Sequence, residues 1–351
     1  KCAAPLHFLP DMVAPGHSQL RFHSVVPASG AALHAWFRQA CAQYPRIRWL
    51  TEPAEVLRLD QGFELRVASD RVQARQIVLA GGGFGANSEM VARFIPGMAD
   101  ALHNGSPTQD GSTMALGIEW GAQLWGMDGY QGQGHTNPGG ATRLGMSIPT
   151  LGGFLANRQG LRFVAEDIGP SALAPAVLAQ AGGVALEVFD ATIEAQLGNH
   201  GAYQQAVKAG QVITAPNLAS LAEQTHIDLP TLQQTVEDVH TFATGQAQDL
   251  LGRQDFARVL EPPFKASWVT GALSHTQGGL LTCANGKVLD QQGQAIPNVF
   301  AVGGCAAGLT GRGADGYLPG NDRLHMAAAP PTLPASSMFN TATAARMVSG
   351  L

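Results

Sequence analysis

The sequence predicts an α/β fold, a nucleotide-binding domain whose two glycine turns are separated by an inserted α+β domain. Three features predict it. The stretches IVLAGGGFG (77–85) and VFAVGGCAAG (299–308) share one plan, a short apolar strand ending in small residues. The residues before the first of them read as helix, strand and strand, the alternation expected of an α/β unit. Between the two, from about residue 140, the texture changes to strand–turn–strand and paired helices. Two segments of one glycine-turn domain thus flank an inserted domain.

The elements follow in order. SGAALHAWFRQACAQ (29–43) carries apolar residues at helical spacing, with Ser29 as its N-cap. IRWLTEPAEVLRLD (47–60) and FELRVA (63–68) read as strands about a turn at Asp60-Gln61-Gly62. Residues 77–80 form a short buried strand that Gly81-Gly82-Gly83 breaks. DGSTMALGIEWGAQL (110–124) reads as a helix capped by Asp110 and interrupted near Gly121. In the inserted block, GGFLANRQGLRFVAED (152–167) reads as strand, turn, strand, and GGVALEVFDATIEAQL (182–197) as a strand entering a helix. NLASLAEQTHIDLPTLQQTVEDVHTFATGQ (217–246) reads as two helices joined at Asp228-Leu229-Pro230. Near the end, a turn at 290–293 precedes a buried strand over 299–302 that closes on Gly303-Gly304.

Composition bounds the function. Apolar residues make up 45% of the 351 and charged residues 13%, enough for a sizeable core and too little charge for a disordered chain. The net charge of −5 argues against a nucleic-acid partner, which normally leaves a basic footprint. No apolar run is long enough for a membrane span, and no polybasic run suits a membrane surface. The four cysteines, Cys2, Cys41, Cys283 and Cys305, show neither metal-ligand spacing nor a disulfide frame, which fits a cytoplasmic location. The two glycine turns fit a dinucleotide, because a turn without side chains lets backbone N–H groups face a pyrophosphate. A G-x-G-x-x-G fingerprint is absent before residue 30, and GGGFGAN (81–87) is not expected to open a helix.

A resemblance then narrows the class. VLAGGGFGANSEMVARF (78–94), SPTQDGSTMAL (106–116), GHTNP (134–138), LANRQGLRFVAE (155–166), PPFKASWVTGALSHTQGGL (262–280) and IPNVFAVGGCAAGLTGRGADGYLPGN (296–321) occur in this order. Together they resemble the FAD-dependent fumarate reductase/succinate dehydrogenase flavoprotein family, which includes the 3-ketosteroid dehydrogenases. The resemblance implies an incomplete Rossmann-like FAD-binding domain, 1–143 with 264–351, and an inserted capping domain at roughly 144–263, the first FAD-binding unit lying upstream of Lys1. It implies FAD as cofactor and hydride transfer between flavin and a C–C bond beside a carbonyl of a small-molecule substrate. The electron donor or acceptor is unidentified, and no C-x-x-C-H haem motif is present.

By matching positions, Ala80, Gly81 and Gly82 would lie near the adenosine part of FAD, and Gly303 and Gly304 near the ribitol and pyrophosphate. Gly320, Asn321 and Leu324 would begin a helix facing the flavin pyrimidine ring. His135 and His275 match the two substrate-side histidines of the family, and Thr276 continues the H-T-x-G-G segment on the cofactor side. Tyr317 is similar to a tyrosine that the ketosteroid dehydrogenases place near the flavin, where a phenol can donate to a ketone oxygen.

Several positions depart from the pattern. Pro170 stands where the fumarate reductases carry a proton-delivering arginine, and GADGYLPGN replaces a motif holding a second one. Arg158 and Arg162 fall on positions that the resemblance marks as structural, while Arg143 and Arg312 are the nearest other arginines. The prolines of RLHMAAAPPTLPASSMF break the helix that should follow Asn321. The resulting expectation is an enone, ketone or unsaturated acid as substrate. A fumarate reductase-type dicarboxylate reductase and a non-catalytic piece of such a flavoprotein are the alternatives.

Overall fold

The computed structural model describes residues 5–9, 19, 23–26, 30–140, 142–144, 147–197, 201–308 and 312–314. Ser29, Tyr317, Gly320, Asn321 and Leu324 lie outside the described residues.

One strand organises the molecule. Phe264–Thr276 runs for 13 residues, and most of its side chains are buried. Its first half pairs antiparallel with Val184–Asp190 on one edge and Ile213–Ala215 on the other. Its second half pairs antiparallel with Tyr130–Thr136 and parallel with Leu102–His103. Register shifts at Thr270/Ala272 and Leu273/His275 mark irregularities that bend and twist such a ladder. The strand Phe154–Ala156 completes the sheet beyond Val184–Asp190. Val184–Asp190 is buried at every position, so it reads as a continuous apolar run broken only by Glu187 and Asp190.

A smaller sheet carries the glycine turns. Val299–Ala301 lies parallel to Ile77–Leu79, and Lys287–Leu289 pairs antiparallel on the outer side. Because the two strands are parallel and adjacent, their carboxyl ends stop side by side, the position at which open α/β sheets hold ligands. Val78 is 53% exposed, so this strand buries less than its apolar sequence suggests. An antiparallel meander, Ala54–Arg58, Phe63–Val67 and Asp70–Ala74, packs beside it.

Two hydrophobic clusters form the core. One, built on Phe154, Leu186, Phe189, Leu221 and Leu232, fills the region around residues 144–269. The other, built on Phe63, Phe84, Met114, Leu280 and Val299, lies under the glycine turns. The helix Pro170–Leu178 contributes to both, with Leu173 and Val177 in the first and Ala174 in the second.

Local signals decided several boundaries. The helix Ser112–Glu119 begins later than expected, because Gly111 takes the N-cap position in left-handed geometry. Asp110 instead accepts from the Ser112 amide at 2.9 Å. This helix ends at Glu119 with Trp120 as its C-cap, and Gly121 follows at φ 90°, which is the interruption expected near that glycine. Leu229–Ala243 begins at the junction expected between the two helices, where Asp228 caps it by accepting from the Thr231 amide. Residues 161–167 form no strand. Arg162 and Glu166 turn inward instead, where Glu166 accepts from the Leu155 amide. A helix that the glycine pattern did not signal, Ser88–Phe94, follows the first glycine turn and is capped by Asn87. It starts six residues past Gly82, so the turn's own amides are not its first turn.

Candidate active site

The two glycine turns touch. Val302 donates its amide to the Leu79 carbonyl at 3.0 Å, and a Cβ built on Gly304 would stand 2.9 Å from the Gly83 nitrogen. Real Cβ contacts are essentially never that close, so backbone-to-backbone approach here demands glycine. The H-T-Q-G-G segment closes the third side. Thr276 is buried, and its Oγ1 accepts from the Phe84 amide at 3.1 Å. Gly83 in turn accepts from the Gly111 amide at 3.1 Å, which ties the turn to the start of the Ser112–Glu119 helix.

Two adjoining cavities open over this arrangement. One, of about 610 Å³, is walled by the backbone of Gly82, Gly83 and Gly304 and by His275, Gln131 and Arg143. The other, of about 720 Å³, is lined by Ala80, Gly81, Asp110, Ser112 and Thr113. Gly82, Ser106 and Gln109 belong to both, so the cavities are continuous. An elongated dinucleotide fits such a site. A floor without side chains spans the turns, and hydroxyl, amide and imidazole groups stand around it.

The sequence-named residues distribute unevenly. Ala80, Gly81, Gly82, Gly304, His275 and Thr276 line one cavity or the other. Gly303 opens the short turn Gly303–Cys305 at φ 61° and lines neither. His135 is also off the lining. It is 3% exposed and its Nδ1 lies 2.9 Å from Oε1 of the fully buried Glu187. Cys305, at the end of the second turn, is buried, and burial pushes its thiol up to about 12. It is therefore a packing residue and not a nucleophile.

The arginines resolve into distinct roles. Arg162 donates to both oxygens of Glu166 and both of Asp249. Arg158 donates to the Ala181 carbonyl and stacks over Trp268. Arg312 pairs with Asp128 at an exposed position. Arg143 lines the larger polar wall and makes no ion pair among the described residues. Pro170 begins the helix Pro170–Leu178, where the missing N–H of proline costs nothing.

Some site residues escaped the sequence reading. Gln131 and Glu187 gave no separate motif, although the alternation Tyr130-Gln131-Gly132-Gln133 signals one polar strand face. Arg253 was equally silent. It is 2% exposed and donates to Glu166, to the Gly153 carbonyl and to the Pro149 carbonyl, pinning the segment 147–153. Isolated charged residues in loops carry no periodic signal.

Paired glycine turns at the carboxyl ends of parallel strands, roofed by a polar wall, define an α/β protein that binds a dinucleotide cofactor. The chain belongs to the FAD binding domain family, whose match covers residues 16–319, and FAD is the cofactor that family binds. It is similar to the fumarate reductase (cytochrome) of Shewanella frigidimarina, 26% identical over 307 residues, 84% of this chain and 53% of that protein. It is also similar to the NADH:acrylate oxidoreductase of Vibrio harveyi, 28% identical over 241 residues, 66% of this chain and 24% of that protein. Among solved structures, the open conformation of a flavocytochrome c3 fumarate reductase shares the fold. It has a TM-score of 0.70 at 23% identity, over 87% of this chain and 54% of that one. The chain spans about half the length, or less, of the curated relatives it matches. Among the described residues, no helix is long and apolar enough to cross a membrane.

Proposed function

We propose that this chain belongs to an FAD-dependent oxidoreductase that transfers hydride between flavin and a C–C bond beside a carbonyl. The substrate is an enone, a ketone or an unsaturated acid. The observation that carries this reading is the 610 Å³ cavity, in which the glycine backbone forms one wall and His275, Gln131 and Arg143 the other. The relatives support it, since their names specify fumarate and acrylate, both carbonyl-conjugated C–C bonds.

Bound FAD supplies a hydride donor or acceptor, and the protein must do the rest. Ala80, Gly81, Gly82, Gly303 and Gly304 would hold the adenosine, ribitol and pyrophosphate parts, with Thr276 bracing the turn. Gly320, Asn321 and Leu324 are assigned to the ring end. His275 would donate to the substrate carbonyl oxygen, and Tyr317 to a ketone. His135 completes the substrate side. Pro170 has no proton to deliver, so the proton falls to one of these groups. Residues 144–263 serve as the cap over the site, and 1–143 with 264–351 as the cofactor domain. An electron carrier, protein or small molecule, and a cytoplasmic setting complete the reading.

Arg143 favours a second reading. An arginine on the cavity wall without an acidic partner among the described residues can receive a carboxylate, as a dicarboxylate reductase requires. One experiment separates these. The protein is purified, its flavin spectrum recorded, and reduced dye oxidation followed with cyclohexenone, crotonate and fumarate. Oxidation by the enone or monoacid supports the first reading, and oxidation by fumarate alone the second. A colourless protein, extended upstream and still unable to bind added FAD, sinks both.

A further inference from the structure

The strand Tyr130–Thr136 has two unlike faces. A Cβ on Gly132 or Gly134 would strike Ala174 or Leu173, so that face packs on the helix Pro170–Leu178. Side chains alternate along a strand, which places Gln131 and Gln133 on the opposite face, and Gln131 there lines the cavity. Gln133 pairs with Ala272 but Thr136 with Thr270, so the strand carries one extra residue between them and Thr136 returns to the face of Gln133. His135, one residue before Thr136, turns to the other face, where Glu187 also lies. Arg143, another cavity residue, bridges Thr136, so His135 adjoins the cavity wall through the backbone while its ring meets Glu187.

Glu187 reaches it from another strand. Thr270 pairs with Val184 on one side and Thr136 on the other, so the strands of Glu187 and His135 flank the long strand. Their side chains meet across it at 2.9 Å, Nδ1 to Oε1, with exposures of 3% and 0%. The second oxygen, Oε2, has no hydrogen-bond partner among the described residues. Ser267, paired with Glu187 in the sheet, does not supply one. It donates to the Gln211 carbonyl and accepts from Asn137. A carboxylate in a strand otherwise made of Val, Ala, Leu, Phe and a terminal Asp carries a desolvation cost that packing alone does not explain.

We propose that Glu187 is a positioning residue for His135. It accepts a hydrogen bond from Nδ1–H and so fixes the imidazole orientation and tautomer, leaving Nε2 as the ring nitrogen available to the carbonyl substrate. The pair is the arrangement by which carboxylates orient imidazoles in other sites. This rests on the reading of His135 as a substrate-side group, and the test keeps the two apart.

The full chain is labelled with ¹⁵N-histidine, and the His135 signals are identified by their loss in His135→Gln. His135 should show the Nδ1-protonated signature. Glu187→Met should abolish it, and Glu187→Gln, whose amide oxygen can still accept, should restore it. If Glu187→Met does not fold, Glu187→Gln and Glu187→Leu are compared in the same way. An Nε2-protonated His135 in the native chain, or a signature unchanged in the apolar variants, overturns the proposal. In the FAD-loaded protein, Glu187→Met should raise KM for cyclohexenone about tenfold, which is 1.4 kcal/mol, while FAD affinity stays unchanged. A tautomer change with no KM effect would keep the pairing and remove His135 from the substrate side.

Discussion

Thr276 Oγ1 accepts a hydrogen bond from the Phe84 amide at 3.1 Å, joining two segments 192 residues apart in the chain. The contact ties the first glycine turn to the H-T-Q-G-G segment and is fully buried. It makes the glycine floor of the 610 Å³ cavity and its histidine-bearing wall one unit. Thr276→Val removes the acceptor at nearly constant volume. It should destabilise the fold by about 1–3 kcal/mol, the cost of a buried donor left unpaired. Thr276→Ser should keep most of that stability. Urea unfolding of both variants measures the difference, and equal midpoints would remove the bond from this account.

Gly81 meets Thr113 in the second cavity. A Cβ there would lie 1.9 Å from Thr113 Oγ1 and 2.7 Å from its Cβ. Gly81→Ala should therefore shift the turn and weaken FAD binding by about tenfold or more, at least 1.4 kcal/mol. Adding Thr113→Ala should recover part of the loss, because it removes the nearest clash, with Oγ1, and leaves the one with Cβ. Flavin fluorescence titration of the single and double variants reads the coupling.

Arg143 separates the two substrate readings. Arg143→Ala should raise KM for an anionic unsaturated acid by about tenfold, a loss of 1.4 kcal/mol. It should leave KM for cyclohexenone within about twofold, below 0.5 kcal/mol on the same scale. Equal effects on both would mean that the arginine acts on the fold or the cofactor and not on a carboxylate.

Arg253 holds Glu166, Gly153 and Pro149 from a fully buried position. Arg253→Met leaves the Glu166 charge with one fewer partner and takes the guanidinium donors from the Gly153 and Pro149 carbonyls, of which Pro149 still accepts from the Gly152 amide. Breaking such a buried pair costs about 3–5 kcal/mol. Thermal unfolding should show the loss even without FAD. Restoring stability by Arg253→Lys should fail, since one ammonium cannot span three acceptors in a fork.

Acid sensitivity follows from Asp249. Burial alone would raise its carboxyl, but the hydrogen bonds and charge of Arg162 outweigh that and hold it below the ordinary carboxylate range. A lowered folded-state value means that the unfolded chain takes up the proton first as pH falls. The stability from this pair is complete above the unfolded value, about 3.9, and is lost as pH drops below it through the folded value. Asp249→Asn should flatten that acid limb while lowering stability at neutral pH. Denaturation midpoints between about pH 2 and 7 would show it.

Much of the cofactor side was legible in the sequence, for a physical reason. Glycine turns after apolar strands are local, and Ala80, Gly81, Gly82 and Gly304 stand at the cavities from which their pattern was read. The junction of two helices at Asp228-Leu229-Pro230 was legible in the same way, while the capping role of Asp228 emerged only in the structure. Residues 161–167 misled, because an alternating apolar pattern looks like a strand while Glu166 and Arg162 are turned inward by partners at 249 and 253. Nothing in the spacing of those charges shows where they meet.

The sequence by itself determined the class: strands ending in glycines, an inserted block and a histidine against two more glycines, all local patterns of shape and polarity. The tertiary structure alone decided the neighbours. It laid the two glycine turns side by side, set Arg143 in the cavity wall beside His275, and withdrew His135 from that wall to Glu187. Those outcomes depend on strand order and register, which bring together residues tens to hundreds of positions apart and leave no periodic trace in the chain.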